Sequence, residues 1–128
     1  MSDPMKTNND GYRDENFAAT EHRPWGFFTV LWEERRVKTK RIGVAPGGAL
    51  SLQYHRYRRE TWTILSGEGS VRVGDETFPA KPGDRFEIPP LVPHRASSES
   101  GMTFFELQSG EYLGEDDIVR IEDKYDRP

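Results

Sequence analysis

Cysteine is absent from the 128 residues of this chain, which removes disulfides, thiolate metal sites and a cysteine nucleophile together and leaves the redox compartment open. Long apolar runs are absent too. None approaches the ~20 residues that a membrane-spanning helix needs, and the first segment, MSDPMKTNNDGYRDENFAAT, has no apolar centre of the kind a secretion signal carries. A cytoplasmic protein with no membrane partner is therefore expected. A basic excess is also missing: Lys and Arg number 18 against 22 Asp and Glu, a net charge of -4. Nucleic-acid binding, which rests on a basic stripe, is not expected. Histidine is scarce, with His22, His55 and His94 the full set, and His22 has no ligand-spaced partner.

What the chain does have is β-strand chemistry at a single-domain length, enough to bury between ~60 and ~70% of the surface of the unfolded form. Residues 1–21 are polar and predict a flexible arm. From Trp25 onward the pattern is short runs rich in β-branched and aromatic residues, each closed by turn residues. Trp25 to Trp32 and Val37 to Val44 predict a hairpin about the charged turn Glu33 to Arg36. Ala49 to His55, Glu60 to Ser66, Ser70 to Val73, Glu76 to Phe78, Arg85 to Ile88, His94 to Ser97 and Met102 to Leu107 predict further strands. Ile118, Val119 and Ile121 suffice for one short C-terminal element packed on the outside. Such spacing predicts an all-β protein, an antiparallel sandwich or barrel of the jelly-roll kind.

The stretch GGALSLQYHRYRRETWTILSG, from Gly47 to Gly67, gathers potential donors. Gln53 and His55 are two apart and leave one face of a strand; Glu60 opens the next run; His94 follows the Pro-rich turn Pro89-Pro90. An amide oxygen, two imidazoles and a carboxylate suit a divalent metal with an open position: zinc, or Mn, Fe, Co or Ni. Arg58, two before Glu60, shares its face if the strand has begun there, and otherwise faces water. Lys38 and Lys40 have one parity and Arg41 the other, so one set faces inward. Glu106 and Gln108 alternate with Phe105 and Leu107, and an inward Glu106 would suit proton transfer.

The spacing Gly47, Gln53-x-His55, Glu60, Gly67 resembles the first cupin signature, with Gln in the first His place. Gly83, Pro89 and His94 fit the second, with Leu91 where glycine is usual and Ser98 where asparagine is usual. The run from Arg23-Pro24-Trp25-Gly26 through Lys40-Arg41-Ile42, Pro46-Gly47 and Leu50-Ser51-Leu52-Gln53 to Gln108-Ser109-Gly110-Glu111-Tyr112-Leu113-Gly114-Glu115-Asp116-Asp117-Ile118 is similar to the C-terminal cupin domain of type II mannose-6-phosphate isomerase/mannose-1-phosphate guanylyltransferase enzymes. Arg56, Tyr57 and Thr61 depart from the histidines that relatives often carry there.

The resemblance implies a single cupin domain over residues 22–128 and a metal, zinc first, on Gln53, His55, Glu60 and His94. It implies a sugar-phosphate partner and the interconversion of mannose 6-phosphate and fructose 6-phosphate through an enediol, with Arg58, Lys40 and Glu106 as catalytic candidates. The phosphate would fall to Arg58, Lys40, Arg41 or Arg95. A cupin that binds a sugar, sugar phosphate or nucleotide sugar without turning it over is the rival, and a metal-dependent oxygenase is disfavoured by Gln53. Family cupins pair, so a homodimer is expected, with Trp25 to Trp32 as an apolar edge to be covered.

Overall fold

The computed structural model describes residues 20–127, and every described element is a strand. The predicted arm lies outside the described residues except for Thr20 and Glu21, which are not loose. They belong to β1 (Thr20–Arg23), which pairs antiparallel with β2 (Gly26–Glu34), Thr20 opposite Thr29 and Arg23 opposite Gly26. This strand covers β2, so the apolar edge expected at Trp25 to Trp32 is not an edge. The exposed rim is the polar β1 instead, which suits a position next to water.

The chain β2 to β3 (Val37–Val44) turns through Arg35 and Arg36 alone, with Arg36 at φ 68, a tighter hairpin than the four-residue turn expected. The other strands are β4 (Gly48–Ala49), β5 (Leu52–Tyr54), β6 (Arg58–Gly67), β7 (Gly69–Val73), β8 (Glu76–Ala80), β9 (Arg85–Ile88), β10 (His94–Ser98), β11 (Met102–Gly110) and β12 (Val119–Glu122). One sheet runs β1-β2-β3-β11-β6-β9 and the other β12-β5-β10-β7-β8, with β4 added to β10. All pairings are antiparallel. The single strand expected over Ala49 to His55 is broken at Leu50 and Ser51. The C-terminal element is not an outer appendage: β12 hydrogen-bonds to β5, with Arg120 opposite Gln53.

The inward faces change character along each strand. On β3 the inward residues run Lys38, Lys40, Ile42, Val44; on β11 they run in reverse, Gln108, Glu106, Phe104, Met102; on β6 they run Arg58, Glu60, Trp62, Ile64. Antiparallel register aligns these into rows. Lys40, Glu106 and Trp62 are cross-strand neighbours, as are Ile42, Phe104 and Ile64. One end is thus an apolar plug, in which Phe104 and Trp62 rings lie 4.5 Å apart and both are essentially inaccessible. The other end is a polar cavity. The plug excludes water from below and gives the site above it a low dielectric floor.

Candidate metal centre and its cavity

Three elements deliver the donors. His55 follows β5, Glu60 lies on β6 and His94 opens β10 directly opposite Gln53. His55, Glu60 and His94 are all buried, and one ligand atom from each falls within 4.8 Å of the others. They line a cavity of about 310 Å³ together with Gln53, Arg58 and Trp62, at the small end of ligand pockets.

Both imidazoles are turned by backbone carbonyls. His55 Nδ1 lies 2.6 Å from the Asp117 carbonyl and His94 Nδ1 lies 2.9 Å from that of Val92. Each Nδ1–H therefore donates outward and each Nε2 presents its lone pair to the cavity. There they meet Glu60: His55 Nε2 is 3.2 Å from Oε2 and His94 Nε2 is 3.6 Å from Oε1. Acceptors facing an anion across such gaps need a shared proton or a cation between them; Arg58 Nη2, 3.3 Å from His55 Nε2, serves one gap, and none of the described side chains puts a cation in the His94 gap. The residues present therefore fit a divalent metal. Gln53 donates its amide to Ser51 Oγ at 2.7 Å, which leaves its carbonyl oxygen as the accepting end.

The electrostatics centre on two carboxylates. Burial alone would raise Glu60, but in the metal-free protein, with a proton shared across these gaps, the hydrogen bond between His55 and Glu60 and the positive charges of His94, His55 and Arg58 outweigh it and hold the carboxyl well below the usual carboxylate range. Glu106 goes the other way, pushed up to about 7 by burial and by the Glu60 charge, against the pull of Lys40. The Trp62 indole N–H sits between them, donating to Glu60 Oε1 at 3.0 Å and to Glu106 Oε2 at 3.1 Å. Gln108 donates to Glu106 Oε1 at 2.7 Å. Burial lowers His94 despite Glu60, which favours the neutral, ligating form.

Parity holds for Arg58: β6 has begun, the side chain is buried beside Glu60, and Arg59 is exposed. Arg58 donates through Nε at 2.9 Å and Nη2 at 2.8 Å to Glu60 Oε2, and Nη2 lies 3.3 Å from His55 Nε2. Its Nη1 is buried without a partner, as is Gln108 Oε1. Lys40 is buried, bonded to Glu115 at 2.7 Å and 4.2 Å above the Phe28 ring. Two phosphate candidates are not in the cavity. Arg41 is on the outer face, exposed, over Phe27 at 5.3 Å, because it has the opposite parity to Lys40. Arg95 points off the far face of its sheet, tied to Glu122 at 2.6 Å and to the Leu50 carbonyl at 3.2 Å.

Sequence reasoning gives no role to Trp62, Glu115 or Asp117. Trp62 shares the parity of Glu60, a signal that was available. Asp117 and Glu115 stand in the run that resembles the family, but spacing alone gives no sign that the Asp117 carboxylate accepts from the backbone N–H groups of Arg56 and Tyr57 at 2.9 and 3.0 Å and fixes the turn that aims His55. Leu91, in the place where the signature has glycine, takes φ 71. The backbone keeps the conformation, and its N–H reaches the His55 carbonyl at 2.7 Å.

A two-sheet antiparallel barrel with a His/Glu/His cluster in its polar end defines a cupin. Solved structures agree: an RmlC-like cupin from Shewanella frigidimarina superposes with a TM-score of 0.71 at 21% identity, over 82% of this chain and 92% of that one. The capsular polysaccharide assembling protein CapF from Staphylococcus aureus does so at 0.70 and 18% identity, over 81% of this chain and 34% of that one. Within the cupins, the chain belongs to the family described as mannose-6-phosphate isomerase C-terminal, whose model matches residues 10–123. It is 44% identical over 108 residues to the xanthan biosynthesis protein XanB of Xanthomonas campestris pv. campestris, 83% of this chain and 23% of that protein. It is 42% identical to a mannose-1-phosphate guanylyltransferase of Klebsiella pneumoniae, over 83% of this chain and 23% of that protein. With the alginate biosynthesis protein AlgA of Pseudomonas aeruginosa the identity is 41%, over 83% of this chain and 22% of that protein.

These relatives correct the expected activity. They are named for guanylyl transfer and for xanthan and alginate biosynthesis, not for exchange of mannose 6-phosphate with fructose 6-phosphate, and this chain spans less than a quarter of each. Among the described residues, no helix is long and apolar enough to cross a membrane.

Proposed function

We propose that this cupin is a metal-centred enzyme domain that holds a phosphorylated sugar against a divalent ion, zinc first. His55, Glu60 and His94 would bind the ion, with the Gln53 carbonyl oxygen as fourth donor. When bound, such an ion supplies Lewis-acid polarisation of a ligand oxygen. The chain's own residues do the rest. The carbonyls of Asp117 and Val92 hold both imidazoles in the ligating tautomer, Arg58 adds a positive charge beside Glu60, and Glu106, with its carboxyl near 7, is placed to accept or give a proton. The observation that carries this reading is the pair of Nε2 lone pairs facing a buried carboxylate.

The test is elemental analysis of protein purified without chelator, followed by calorimetry of the metal-loaded protein with mannose 6-phosphate and with mannose. One equivalent of metal and a preference for the phosphorylated sugar are expected; no metal, even after reconstitution, overturns the reading. The homodimer stays part of it, now through the outer face of the first sheet, where Leu65 and Leu107 are exposed. Light scattering at a stated concentration checks that.

A further inference from the structure

The cations first expected to hold phosphate have other duties. Arg58 gives Nε and Nη2 to Glu60 and sits at the floor of the cavity beside the candidate metal donors, with Nη1 alone unpartnered. Lys40 is bonded to Glu115. Arg41 and Arg95 do not line the cavity. Three other arginines do: Arg23 at the end of β1, Arg120 on β12 and Arg127 beyond it. They come from separate segments yet converge.

Register gives the distance. Arg120 is directly opposite Gln53, and Gln53 is directly opposite His94, so the three share one face of the second sheet. Two strand spacings, about 10 Å, separate the backbone of Arg120 from that of His94. A ligand with one end at His94 and Glu60 and the other at Arg120 spans a short molecule with a polar head and an anionic tail.

The three guanidiniums lie close enough to act on one another. Burial lowers the Arg120 pKa first, and the charges of Arg127 and Arg23 lower it further, while Asp123 opposes. Glu21 pairs with Arg23 at 2.9 Å and Asp123 with Arg127 at 2.7 Å. These pairings leave Arg127 with Nη1 and Arg23 with Nε outside them, and Arg23 lies over the Phe28 ring at 5.0 Å; the collar differs from Arg58 in its place at the mouth and in bringing three charges to one point. Planar guanidiniums converging from several directions are the chemistry that recognises a phosphate dianion.

Resting on the reading of this cavity as a phosphorylated-sugar site, we propose that its phosphate subsite is the collar of Arg23, Arg120 and Arg127, and not Arg58 or Lys40. The inner pole, His55, Glu60, His94 and Glu106, then faces the hydroxyl end of the sugar. Specificity for a phosphorylated ligand follows from the mouth of the barrel rather than from its floor.

The experiment is calorimetry of the full chain with mannose 6-phosphate, mannose and inorganic phosphate as probes, on wild type, R23Q, R120Q, R127Q, R58Q and H94Q, with metal content measured in each. Expected are tighter binding of mannose 6-phosphate than of mannose, and a loss of about tenfold or more in mannose 6-phosphate affinity for each collar variant at unchanged metal content. Arg23 is on an exposed strand end, so R23Q tests the proposal even if R120Q fails to fold. Collar variants that keep wild-type affinity while R58Q or H94Q abolishes binding overturn the collar and leave the metal-centred reading standing. Binding of both phosphorylated probes that collar variants weaken, but that H94Q and chelator leave unchanged, supports the collar and overturns the metal-centred reading. Equal binding of mannose and mannose 6-phosphate, or no binding of either, overturns both.

Discussion

Arg58→Ala separates two roles that one cation could play. In the metal-free protein, Arg58 is the resident positive charge beside Glu60, bonded through Nε and Nη2 to a carboxylate that is 1% exposed. Removing one partner of a buried pair leaves the other charge uncompensated, at roughly 3 to 5 kcal/mol. With about 3 kcal/mol lost and a urea dependence near 2 kcal/mol/M, the unfolding midpoint of chelated protein should fall by about 1.5 M. A bound divalent ion neutralises Glu60 in its own right, so the loss should shrink to about 1 kcal/mol in saturating metal. By linkage the difference appears as tighter metal binding, tenfold or more. Urea denaturation with and without chelator, and metal titration by calorimetry, measure both halves of this. Arg59→Ala is the control and should stay within about 0.5 kcal/mol, since that residue is exposed. Equal losses in chelated and metal-loaded protein, or weaker metal binding in Arg58→Ala, would refute the argument that the guanidinium and the ion act on the same carboxylate.

Glu106 is raised from 4.5 to about 7, so its protonated form is the one the fold prefers. Its contribution to the stability of metal-free protein should be complete below pH ~4.5 and disappear as pH rises through about 7, by up to about 3 kcal/mol; Glu106→Gln should remove that slope, and a wild-type-minus-variant difference independent of pH would show the burial argument to be wrong. Trp62→Phe deletes the N–H that bridges Glu60 and Glu106 and should cost about 2 kcal/mol, with much of it recovered in combination with Glu106→Gln. Strict additivity of the two in a double-mutant cycle would mean that the indole does not couple the carboxylates. Leu91 is 62% exposed and held at φ 71, so Leu91→Gly should be neutral or stabilise by up to about 1 kcal/mol. A clear drop in thermal stability counts against backbone strain there.

Period-two alternation made Arg58, Glu60 and Glu106 legible, because it needs only a strand start and neighbours of known sense. For Lys40 and Arg41 the same rule gave two mutually exclusive answers, and only the pairing of β3 with β11 turned Lys40 inward. Motif spacing located the two histidines. It could not show that His55 takes its orientation from a carbonyl 62 positions later, nor that β12 adds itself to β5. Both depend on a crossing between sheets that leaves no local trace. The Trp25 to Trp32 run read as an edge because strand β1 carries only polar residues, Thr20-Glu21-His22-Arg23, and polar segments give no pattern from which a strand can be heard.

The late arrival of Asp117 sets an order of events for the growing chain. All four candidate donor residues are translated by position 94, and β2 with β3, β6 with β9 and β7 with β8 can begin to pair while synthesis continues at about 5 to 20 residues per second. Until residue 117 emerges, the turn after His55 has no carboxylate to hold it and the imidazole no carbonyl to turn it. For that interval of about one to five seconds the nascent domain carries its donors without their aim. An ion of the kind proposed, met in that interval, would find a flexible chain able to bind it in the wrong geometry.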